Sequence, residues 1–138
     1  MISMTVGKHG GALHAFFYLG LALLVCHELD AVFRHEWHLL PGLSQLQDGP
    51  ARTIFILIHI PTFVALFWLT GHESEAIRKR SQLGLDAFLI GHAALHLSMS
   101  GHDLYEFEPP VETITVYGGA LVGLMHSIIC VKTRRSET

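Results

Sequence analysis

The stretch TIFILIHIPTFVALFWLT at positions 53–70 runs for eighteen residues without a charged side chain, and it holds His59 and Pro61 in its interior. A helix rising 1.5 Å per residue needs roughly 20 apolar residues to cross the hydrocarbon slab. In lipid every backbone polar group must be paired within the segment, and a run this long is not a tilted barrel strand. The stretch therefore reads as a transmembrane helix. Pro61 is expected to kink it or loosen its backbone near His59.

Three more apolar runs flank this stretch, Gly11–Phe33, 83–102 and 113–132. The reading is an all-α fold, a four-transmembrane-helix bundle forming one integral membrane domain over 1–138. Composition agrees: half of the chain is hydrophobic, 15% is charged, and the charges fall between the runs. A net charge of −3 lacks the basic face that nucleic acid requires, so no nucleic-acid partner is expected. The lipid bilayer is the expected surrounding. The segment before residue 11 has neither a basic n-region nor a small-residue cleavage site, so the first run is read as retained.

Arg78, Lys79 and Arg80 lie between the second and third runs, and Lys132, Arg134 and Arg135 follow the fourth. Under the positive-inside rule both groups are cytoplasmic, which puts both termini inside. The acidic stretch 103–112, with Pro109 and Pro110, then faces outward. Cys26 and Cys130 fall on opposite sides and are not expected to pair. Positions 27–40 read as a helical continuation above the membrane ending at Pro41-Gly42, and Gln47-Asp48-Gly49-Pro50 reads as a turn before the second helix. Trp37, Trp68 and Tyr105 suit aromatic belts at the membrane edges.

Eleven histidines are a large number for such a chain. Counting from the middle of each run places His27 and His59 roughly 5–8 Å outward of the midplane, His96 about 5 Å outward and His92 near the centre. Ionisable side chains at such depth are expensive unless partnered or functional. Imidazoles at matching height on neighbouring helices can converge on a metal, with a carboxylate completing or orienting the shell. The expected metal ligands are His27, Asp30, His59, His92 and His96, with Glu28 and Asp30 as catalytic carboxylates. On a continuous helix Glu36 faces nearly away from His27. His35, His38, His102 and Asp103 read as interfacial residues, with a second site as the alternative. His126 shares a face with Gly119 and Gly123 and reads as a packing histidine on a small-xxx-small surface, whose partner is either this bundle or a second copy in a homo-oligomer.

His27-Glu28-Leu29-Asp30-Ala31 fits only the first half of the H-E-x-x-H zinc motif, because alanine stands where the second histidine belongs. The same segment, followed by His35-Glu36-Trp37-His38-Leu39-Leu40-Pro41, resembles the signature of a family of small uncharacterised bacterial membrane proteins, H-E-L-D-A then H-E-W-x-L-L-P. A looser similarity to a bacterial membrane family named for H-x-x-E-E breaks at Asp30-Ala31. The first resemblance implies a multi-pass protein of the bacterial inner (plasma) membrane and supplies no activity.

Imidazoles and carboxylates without thiolates suit zinc, iron or manganese. The functional expectation is a metal-binding membrane protein, a metal-dependent hydrolase or oxidoreductase acting on a lipid-like or hydrophobic substrate. One alternative is a b-type haem electron-transfer protein with bis-histidine ligation. Another is a proton- or ion-conducting or structural membrane subunit.

Overall fold

The structure, a computed structural model, describes residues 8–136. Residues 1–7 and 137–138 lie outside it, and with them most of the N-terminal segment read above. Among the described residues there are four long helices and no strand: α1 (Lys8–Phe33), α2 (Asp48–Thr70), α3 (Glu75–Met99) and α4 (Gly118–Ser136), the last entered through a π-helical turn, Thr113–Tyr117. Short 3-10 turns at Glu36–His38 and Leu43–Gln45 fill the connection between α1 and α2.

Three segments are long and apolar enough to cross a membrane, Gly11–Phe33, Asp48–Thr70 and Thr113–Thr133. The remaining helix, α3, carries Glu75, Arg78, Lys79 and Arg80 in its first turns. On α2 only 11% of the most apolar stretch is buried within the protein. Ile60, Val64, Phe67 and Trp68 stand at least half exposed on its surface. A soluble monomer rarely shows a contiguous apolar patch beyond roughly 300–600 Å². A helix oily on its outside in this way is long and apolar enough to cross a membrane.

The bundle is organised around α4, which packs on both α1 and α3, while α2 leans on α3. Glycine makes the α3–α4 approach close: a Cβ on Gly123 would meet the Cα and carbonyl oxygen of Asp86 at 3.3 Å, and one on Gly119 would reach Leu89 at 3.7 Å and Leu23 at 3.9 Å. These two glycines therefore serve contacts inside one bundle. Phe17, Leu24, Leu85 and Leu89 form the core between the helices. A second cluster of Ala31, Trp37, Ala51, Phe55 and Phe107 sits under the connections at the opposite end from Arg78-Lys79-Arg80.

The helical continuation expected over 27–40 holds only as far as Phe33. The chain leaves α1 after Phe33, and His35 takes a left-handed backbone (φ 54°, ψ 40°) that turns it back onto the bundle. Histidine is among the residues that tolerate this region. Burial of Trp37 accounts for the turn, because its indole is fully enclosed and donates Nε1–H to Asp48 at 3.0 Å. Trp37 is thus a core residue and not part of an aromatic belt, whereas Trp68 is exposed. The turn expected at 47–50 is instead the first turn of α2, with Asp48 in a position that suits a helix N-terminus. Likewise Arg78-Lys79-Arg80 belong to the start of α3 and not to a loop.

Candidate metal centre

His27 of α1, His92 and His96 of α3 and Glu36 of the 3-10 turn converge beneath the Trp37 cluster, each offering one ligand atom within 4.8 Å of the others. His27, His96 and Glu36 are buried and His92 is half-buried. The α3 pair arises from the one-turn spacing, which puts both imidazoles on one face. His27 Nε2 lies 2.9 Å from His92 Nε2 and 3.5 Å from Glu36 Oε2. Ligand atoms on a tetrahedral zinc at ~2.0–2.1 Å stand about 3.3 Å apart, so these two separations bracket the expected one.

The polar bookkeeping points the same way. Glu36 Oε2 is buried without a hydrogen-bond partner among the described residues, as are His27 Nδ1 and Asp30 Oδ2. A buried carboxylate oxygen without a donor or cation is costly. Burial pushes the Glu36 carboxyl up, yet its interaction with His27 more than offsets this and holds it below its ordinary value. Glu36 is therefore an anion facing three imidazoles.

His96 is oriented from behind. Tyr105 donates its hydroxyl proton to Glu112, so at 2.8 Å the tyrosine oxygen must accept Nδ1–H from His96. That leaves the Nε2 lone pair of His96 for the centre, the usual arrangement of a metal-ligating histidine anchored through its other nitrogen. Burial, then the Glu112 carboxylate, keep the Tyr105 phenol well above its ordinary pKa. Tyr105→Phe keeps the ring contacts with His96 and Phe107 but removes this acceptor. Metal affinity, measured by chelator competition, is expected to fall about 10–100-fold; unchanged affinity would separate Tyr105 from the centre.

His59 and Glu28 are brought to each other. His59 Nδ1 donates to the Phe55 carbonyl at 2.6 Å and its Nε2 meets Glu28 Oε2 at 2.7 Å, so the pair holds one proton between those two atoms. Both line a cavity of ≈ 350 Å³ with Leu24, Thr62, Phe63 and Phe88, between α1, α2 and α3. Asp30 turns to Arg34 at 3.4 Å, and Arg34 also donates to the Glu106 carbonyl at 3.1 Å. The structure thus groups His27, His92 and His96, and sets His59, Glu28 and Asp30 outside that group.

The carboxylate within the group is Glu36, which a continuous helix would have turned away. Tyr105, expected at a membrane edge, stands behind His96, and Glu112, expected only as part of the acidic stretch 103–112, holds Tyr105 in turn. His35 pairs with Glu106 at 2.8 Å and His38 with Asp48 at 3.0 Å, while His102 Nδ1 accepts from the Leu104 amide at 3.1 Å. Among the described residues these histidines form no second metal group. Cys26 and Cys130 are both free thiols.

The profile of a family of unknown function, DUF6713, matches residues 13–133. The chain belongs to the DUF6713 family. That match reaches into all four helices and takes in every residue of the cluster, and it agrees with the resemblance carried by the H-E-L-D-A and H-E-W-x-L-L-P segments to an uncharacterised family. No curated protein and no solved structure matches the chain. For this DUF6713 member the chemistry has to be argued from the His/Glu group itself.

Proposed function

We propose that this protein is a four-span integral membrane protein of the bacterial inner membrane, with both termini cytoplasmic, that binds a divalent first-row metal at His27, Glu36, His92 and His96. The observation that carries this is the convergence of three imidazoles and a buried carboxylate from three separate segments. An N/O donor set without thiolates suits zinc, iron or manganese. α3 supplies the fourth span, its Arg78-Lys79-Arg80 turn at the cytoplasmic surface under the positive-inside rule. The metal then lies in the outer half.

A metal-dependent enzyme acting on a lipophilic substrate is the activity this arrangement supports best. A bound divalent ion supplies Lewis acidity. Leu24, Phe63 and Phe88 offer an apolar entry between helices, and the Glu28–His59 pair holds a proton on the wall of that entry, one residue from the ligand His27. Phe107 packs against the rings of His27 and His96 and gives the centre an apolar wall. Haem fits less well: a porphyrin needs its two axial imidazoles on opposite faces of a wide plate, whereas His27, His92 and His96 are mutually packed with ring centroids 4.7–4.9 Å apart.

Metal analysis and an absorbance spectrum on one detergent-purified preparation test the proposal. About one equivalent of zinc, iron or manganese without a Soret band is expected for a single four-donor site. A Soret band would move the assignment to haem, and metal-free protein that also fails to take up added zinc, iron or manganese would overturn it.

A further inference from the structure

Toward the other end of the bundle a second polar group interrupts the core. Asp86 of α3 and His126 of α4 are both buried, and His126 Nδ1 lies 2.7 Å from Asp86 Oδ2. Ser127 donates to the same oxygen at 2.9 Å. A carboxylate with two such donors is an acceptor only, so His126 presents Nδ1–H to it and keeps a lone pair on Nε2. One turn further along α4, Cys130 Sγ stands 3.7 Å from that Nε2. Thiol, imidazole and carboxylate are thus in the order nucleophile, base and orienting group.

A packing histidine alone would not need a thiol on its free nitrogen, nor a cavity beside that thiol. Cys130 lines an opening of ≈ 630 Å³ whose walls include Leu13, Leu83 and Val131 and whose rim carries Glu75, Lys79 and Arg80. Glu75 pairs with Lys79 and Arg80 adds a further cation, so among the described residues the rim is net positive. Apolar walls accept an acyl chain, and a positive rim accepts an anionic head.

The geometry points to Cys130 as an S-acylation site, activated by His126 and Asp86, that takes an acyl group from a thioester with an anionic leaving thiol. Cys130 gives its proton to His126 Nε2 as sulfur attacks the acyl carbonyl carbon. The bond from that carbon to the donor sulfur then breaks, and the departing thiolate recovers the proton from His126. The products are S-acyl-Cys130 and the free donor thiol, with no change of oxidation state.

The test uses the full chain in detergent with palmitoyl-coenzyme A as probe, read by intact mass and peptide mapping, with release by neutral hydroxylamine. Acylation of Cys130 is expected at least ~10-fold faster than that of Cys26 in the same molecule, and His126→Gln is expected to slow it by about 10²-fold, as for loss of a general base. Cys26→Ser should leave the Cys130 rate unchanged. If His126→Gln does not fold, the Cys130-to-Cys26 ratio in the unmutated chain decides alone. Equal rates at the two thiols, or no adduct on Cys130, would overturn the assignment. A neutral thioester of the same chain should react more slowly at Cys130, and equal rates would overturn the anionic donor.

Discussion

Detergent-purified protein carrying His96→Ala is expected to lose its metal, while protein carrying His59→Ala keeps it. Both histidines lie within the apolar part of the bundle, but only His96 offers a nitrogen to the group with His27, His92 and Glu36. Structural zinc sites bind with apparent free energies of about 10–16 kcal/mol, so one ligand of four is worth roughly 2.5–4 kcal/mol. At 1.4 kcal/mol per tenfold this is a loss of roughly 60- to 700-fold in affinity. Dialysis against a weak chelator followed by metal analysis would then strip His96→Ala and spare His59→Ala. The cost of His59→Ala falls on its contact with Glu28 and on the wall of the ≈ 350 Å³ cavity. Equal retention by both variants would remove His96 from the centre, and equal loss would draw His59 into it.

The contrast between these two histidines shows what the chain reveals before it is folded. Apolar runs of about 20 residues are legible because the bilayer imposes their length, and depth along a helix follows from counting. Azimuth does not. His59 bonds directly to Glu28 at 2.7 Å on the wall of the ≈ 350 Å³ cavity and so stands outside the group, although its counted height matches that of His27. His92 and His96 were readable as a pair because their one-turn spacing fixes a common face on α3 whatever the packing.

Glu36 was hidden for a different reason. A single left-handed residue, His35, breaks the helical phase on which its direction was reckoned, and no periodic pattern announces such a residue. A signal was nevertheless present in Trp37, since a large indole just beyond a span is enclosed only if the chain folds back. Asp86 gave a comparable signal: a carboxylate inside an apolar run requires a partner, and His126 is the side chain that meets it.

Trp37→Ala is expected to disable the metal centre without touching a ligand. The indole is fully buried among Ala31, Ala51, Phe55 and Phe107, and its N–H bonds to Asp48 at the start of α2. Truncating a buried tryptophan costs about 3–5 kcal/mol. Local openings draw on the stability of the segment concerned. Here that segment is the short 34–47 connection, held also by Arg34 and His35 on Glu106. The neighbour carried by that connection is Glu36, so its loosening removes the one anionic ligand from the three imidazoles. Chelator competition should show an affinity loss comparable to that of Glu36→Gln, and the stabilisation that added metal gives the unmutated protein in a thermal melt should shrink, because ligand binding raises stability only in proportion to affinity. Trp37→Phe keeps most of the packing and loses the bond to a partly exposed carboxylate, a cost of about 1 kcal/mol, so it should retain metal. A Trp37→Ala protein that binds metal as tightly as the unmutated chain would show that Glu36 is not a ligand and that the three histidines hold the ion by themselves.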